Sequence, residues 1–70
     1  MEYTVIIHNA EDGGYWAEVP VLQGCFSQGE TLEETIKNVK EAINLHLSVL
    51  KEEGIPLPKD EIIILNKVAI

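Results

Sequence analysis

Three kinds of side chain in this 70-residue chain could do chemistry: the Cys25 thiol, the His8 and His46 imidazoles, and the adjacent Glu11 and Asp12 carboxylates. A nucleophilic cysteine needs a nearby base and a lowered pKa. His8 is the only base that a first strand would bring near it, and the surrounding acidic residues disfavour a thiolate. Cys25 therefore reads as a small apolar side chain in a tight corner. With two histidines it makes at most three metal ligands, without the paired spacing of zinc modules, so no metal is expected. A general acid/base pair needs a cleft and a shifted pKa, and Glu11–Asp12 sits on a turn that offers neither. Gly13-Gly14 lacks the following helix and lysine of a phosphate loop. His8 and His46 read as solvated or hydrogen-bonded histidines at the borders of apolar faces. No catalytic residue and no cofactor is expected.

What must hold these residues is small. Seventy residues make a single domain, residues 1–70, whose lone core is marginal. One cysteine rules out an internal disulfide, which points to a reducing compartment. The net charge is −7, from twelve acidic residues against five lysines and no arginine. Such a chain repels nucleic acid and attracts basic partners, so direct nucleic-acid binding is not expected. It shows no signal-peptide pattern. Its longest apolar run, residues 62–65, is too short to span a membrane. A cytoplasmic location is expected.

Alternation of β-branched residues predicts a strand over residues 3–10. Asp12-Gly13 then signals a hairpin turn, and residues 15–19 form the return strand. On that strand Tyr15, Ala17 and Val19 share one face and Trp16 and Glu18 the other. Pro20 ends pairing, and "CFSQ" between Gly24 and Gly29 suggests a short third strand. Thr31 with Glu34 makes a capping box, predicting a helix over residues 32–53 with Gly54 as its stop. Its apolar stripe is Leu32, Ile36, Val39, Ile43, Leu47 and Leu50. Adding Ala42, Leu45 and Val49 widens the apolar arc to about 200°, beyond the ~100° that covers one sheet. After the linker "IPLPKD", residues 61–70 predict a final strand. It has Ile62 and Ile64 on one face and Ile63 and Leu65 on the other. Apolar residues on both faces ask for cover on both sides, which this chain lacks. A homo-oligomer follows, with Ala42, Leu45, Val49, Ile63 and Leu65 as candidate interface residues.

The stretches "EDGGYWAEVP" and "LQGCFSQGETLEETIKNVKEAI" resemble the signature of HicB-type antitoxins, including the small stand-alone HicB-like proteins. Matching residues are Gly13-Gly14-Tyr15, Pro20, Leu22, Gly24-Cys25, Ser27, Gly29 and Thr31-Leu32-Glu33-Glu34. Gln23 stands where the family usually has proline. The resemblance covers roughly residues 3–50. It implies an α+β fold of order β-β-β-α-β, an antiparallel sheet with one long helix on one face, like a fragment of the ribonuclease H core without its catalytic carboxylates. It implies dimers or tetramers. It also implies a partner, a small basic HicA-like ribonuclease that the antitoxin covers and inhibits. Many family members add a C-terminal DNA-binding domain, and none is expected in these seventy residues.

The expected function is therefore binding and occlusion of a HicA-like toxin. Glu11, Asp12, Trp16 and Glu18 are candidate contact residues because they share the hairpin, with Trp16 as a candidate apolar anchor. The alternative is a stand-alone oligomeric binding or structural module without a toxin. An enzyme using Cys25 or His8 is the weakest of the three readings.

Overall fold

The computed structural model describes residues 1–61 and 63–70. Three antiparallel strands come first: β1 (Ile6–Asn9), β2 (Tyr15–Glu18) and β3 (Phe26–Gly29). One long helix, α1 (Leu32–Glu52), follows. The sheet order is β1-β2-β3. Ile7 faces Ala17, which faces Ser27, and His8 faces Trp16, which faces Gln28. The fold is α+β, as expected, and the strands are shorter than the alternation alone suggested.

The hairpin turn closes with Ala10 N–H donating to the Gly14 carbonyl at 3.1 Å and Gly13 N–H to the Ala10 carbonyl at 3.2 Å. This leaves β1 and β2 with one common inner face. Val19 N–H donates to the Cys25 carbonyl at 3.2 Å, which extends that face to the start of β3. The core is Ala17, Val19, Leu22, Cys25 and Val39, with Tyr3, Val5, Ile7, Val21, Ala42, Ile43 and Leu47 packed around it.

Both ends of α1 are built from their own sequence. Thr31 caps the start, its hydroxyl accepting the Glu34 N–H at 3.1 Å. Glu34 reaches back to accept the Glu30 N–H at 3.2 Å, one residue earlier than in the usual capping box. At the far end Gly54 takes φ 71°, Gly54 N–H donates to the Lys51 carbonyl and Ile55 N–H to the Leu50 carbonyl. That pair of bonds is a Schellman stop, which needs a left-handed residue at Gly54.

The helix is rotated from the stripe the sequence suggested. Thr35 and Val39 are its buried residues, while Leu32 and Ile36 are exposed. The cause is Gly29. A Cβ there would lie 2.7 Å from the Thr35 N and 2.8 Å from its Oγ1. The absent side chain lets the first turns of α1 settle on β3 through Thr35. The Thr35 hydroxyl donates to the Thr31 carbonyl at 2.8 Å, so its burial leaves no orphan.

The expected final strand does not form among the described residues. Residues 55–61 and 63–70 carry no strand, and Ile62, part of that expectation, lies outside the described residues. The helix α1 lies over β3 and β2, and among the described residues no strand pairs with the outer edge of β1. The linker is instead held at the sheet margin. Tyr3 Oη donates to the Pro58 carbonyl at 2.6 Å. Thr4 donates to the Asp60 carboxylate twice, from its N–H at 2.9 Å and from its hydroxyl at 2.8 Å. Beyond that clamp, Ile64, Leu65 and Val68 are 84%, 75% and 80% exposed.

Candidate interaction surface

Strand alternation divides the chemistry-bearing residues between two faces. Cys25 falls on the inner face, 4% exposed within the core. Burial pushes its thiol pKa up, so the thiol stays protonated and unreactive. His8 lies on the opposite face of the sheet, in register with Trp16. The pair considered as nucleophile and base is therefore separated by the sheet itself. His46 does come near Cys25. Both line a groove of about 360 Å³ with Gly24, Phe26, Ala42, Leu45, Val49 and Leu50. Apart from His46 the side chains lining that groove are apolar.

Among the described residues the outer face of the sheet carries no helix, and an aromatic shelf occupies it. The His8 ring stacks on the Trp16 ring, centroids 4.2 Å apart and planes at 15°. Trp16 meets Phe26 at 6.3 Å and 47°, within the range of favourable aromatic pairs. His8 Nε2 is 2.6 Å from Glu18 Oε2, which fixes the ring against the tryptophan. Phe26 is largely exposed. The shelf is thus one carboxylate beside a row of rings, a polar handle next to apolar area.

Of the four candidate contact residues, Trp16 and Glu18 belong to this shelf. Glu11 and Asp12 do not. They stand at the hairpin tip and line a different concavity of about 490 Å³ with Tyr15, Gln28, Glu30, Glu34 and Asn38. The sequence reading placed all four together because they share one hairpin. In space the hairpin twists its tip toward the start of α1. His8 and Phe26 were missed as shelf members. The period-two alternation of β1 and β3 was the signal that could have found them, since it sets His8, Trp16 and Phe26 on one face.

The candidate oligomer residues also split. Ala42, Leu45 and Val49 line the groove beside Phe26. Ile63 and Leu65 are not among its lining residues; they belong to the segment beyond the Asp60 clamp. No group of three or more histidine, cysteine, aspartate or glutamate residues is placed to hold a metal ion among the described residues.

Comparison with known proteins places this arrangement. A family model described as the HicB-like antitoxin of bacterial toxin–antitoxin systems matches residues 3–68. A UPF0150 protein of Synechocystis sp. is 48% identical over 62 residues, covering 89% of this chain and 78% of that protein. Another, from Thermoplasma acidophilum, is 48% identical over 60 residues, covering 86% of this chain and 87% of its own. Among solved structures, the Burkholderia pseudomallei antitoxin HicB superposes with TM-score 0.73 at 37% identity, over 81% of this chain. A chain of the HicA3–HicB3 toxin–antitoxin complex superposes with TM-score 0.67 at 36% identity, over 80% of this chain. This chain spans 43% of the first of those two chains and 64% of the second. The superposition on HicB chains and the family match over residues 3–68 agree, and the chain belongs to the HicB-like antitoxin family.

Proposed function

We propose that this chain is the antitoxin of a toxin–antitoxin pair: it binds a small basic HicA-like ribonuclease and covers it, so that RNA loses access. The observation that carries this reading is the match to a chain of a HicA–HicB complex over four-fifths of the present chain. Charge supports it. A net charge of −7 attracts a basic protein and speeds encounter. Glu18 with the Trp16 and Phe26 rings offers the aromatic anchors and single carboxylate that suit an interface centre, and Glu11 and Asp12 extend the acidic surface at the hairpin tip. The chain acts by binding rather than by catalysis, as its buried, protonated Cys25 suits. It works in the cytoplasm, where an RNA-cleaving partner would act.

The test is inhibition. The purified chain is titrated into the product of the adjacent small basic reading frame, and RNA cleavage is measured. Cleavage should fall to background near equimolar antitoxin, and Trp16→Ala should raise the amount needed at least tenfold. Undiminished cleavage with antitoxin in excess rejects the reading for that neighbour.

A further inference from the structure

We propose that the hollow between Trp16 and Phe26 receives an arginine side chain of the basic partner protein, its guanidinium lying against the two rings and drawn in by Glu18. The inference names the group that the outer face recognises, and it rests on the toxin-binding reading. The geometry starts from Trp16. His8 stacks on the indole at 4.2 Å and 15°, so one ring face is already covered. Trp16 and Phe26, tilted at 47° with centroids 6.3 Å apart, line an open hollow of about 430 Å³ with Ser27 and Gln28. Phe26 is 60% exposed, so that wall of the hollow is accessible.

Charge decides what the hollow takes. Glu18 is in register with Ile6 on one side and Phe26 on the other, which sets its carboxylate in an apolar row next to the hollow. Among the described residues its one ion-pair partner is His8, which is charged only when protonated and meets Oε2 alone. An aliphatic or aromatic anchor pressed onto this row would take water from the carboxylate without replacing its hydrogen bonds. A cation over the rings gains from the ring quadrupoles and from the carboxylate together.

Geometry and composition then select arginine, and a different protein as its source. The guanidinium is planar, weakly hydrated and stacks on aromatic faces, whereas an ammonium is a compact and strongly hydrated point charge. This chain has five lysines and no arginine, so a second copy cannot supply the group. Two copies of charge −7 also repel each other. The chain's own cations are placed elsewhere: α1, which carries Lys37, Lys40 and Lys51, packs on the inner face of the sheet. Among the described residues no lysine pairs with Glu18.

The experiment uses the full chain and the product of the adjacent small basic reading frame, with affinity read by titration calorimetry. Glu18→Gln keeps the side chain's shape and should weaken binding about tenfold. Glu41→Gln removes the same charge from an exposed position of α1 and should change affinity less than about twofold. Each arginine of the partner is also changed to lysine in turn. One such change should cost about tenfold against the wild type and far less against Trp16→Leu, the mark of a coupled pair in a double-mutant cycle. Far-ultraviolet circular dichroism checks the fold of each variant, and Phe26→Ala replaces Trp16→Leu in the cycle if that variant does not fold. Wild-type affinity in Glu18→Gln, an equal loss in Glu41→Gln, or a scan in which no arginine couples to the rings overturns the inference and leaves toxin binding standing. A wild type that does not bind the partner overturns both.

Discussion

Asp60 does the most with the least at the scale of one side chain. It is exposed, yet its carboxylate accepts both the amide and the hydroxyl of Thr4, and these bonds hold its pKa below the usual carboxylate range. They join residues 56 apart in sequence, tying the post-helix linker to the start of the sheet. A carboxylate whose folded pKa is depressed contributes stability that is fully present above its unfolded pKa. That contribution is lost as pH falls through the folded value. The Thr4 amide resonance, followed by acid titration, should therefore move with a midpoint below that of a free aspartate. In Asp60→Asn that titration step should vanish while the three strands persist. A Thr4 midpoint at the free-aspartate value would show that the clamp is not formed in solution. Nothing local announced this bond. Neither residue belongs to a motif, and a pairing across 56 positions has no periodicity to read.

At the scale of elements, the helix was legible because its signals are local. The Thr31–Glu34 cap, the 3.6-residue repeat and Gly54 each act within a turn or two of chain. The hairpin was legible for the same reason, through Asp12-Gly13 and alternation on either side. The rotation of α1 was not. Thr35 counts as polar in any pattern, so the stripe was drawn through Leu32 and Ile36, whereas a neighbour without a side chain, Gly29, made room for Thr35. A glycine read as a turn residue is in fact a spacing residue. The outer-face shelf was half legible: alternation assigns His8, Trp16 and Phe26 each to one face of its own strand, and the pairing register then sets those faces side by side. The strand–helix joint yields a direct prediction. Gly29→Ala places a methyl group within 2.8 Å of Thr35, an overpacking that costs about 1–3 kcal/mol. Urea denaturation should show the midpoint lowered with an unchanged slope. An unchanged midpoint would mean that the first turn of α1 moves away freely.

At the scale of the whole molecule, the balance of apolar surface decides the state. Among the described residues five hydrophobic side chains are buried and eleven large ones are exposed. Full burial of a Val or Leu contributes about 1.5–3 kcal/mol, so a core of Ala17, Val19, Leu22, Cys25 and Val39 has little to set against the ordering of seventy residues. The final strand was legible as a pattern, and among the described residues it does not form. The sequence carries the alternation of an apolar strand, but a strand is a relation between hydrogen-bonding groups on two segments, and alternation says nothing about the second. Self-association through the exposed apolar residues would have to overcome repulsion between two bodies of charge −7 each. That repulsion is screened by salt over a Debye length of about 8 Å at physiological ionic strength, while apolar burial is not weakened by it. Stability and any such association would then be linked by mass action. The melting temperature should rise with protein concentration, and at fixed concentration it should rise again as sodium chloride is added. In L65K/V68K both dependences should largely flatten, because the single subunit then melts alone. Scanning calorimetry across a hundredfold concentration range reads this directly. A wild-type melting temperature that does not move over that range would mean that the small core, with Ile64, Leu65 and Val68 in water, is sufficient by itself.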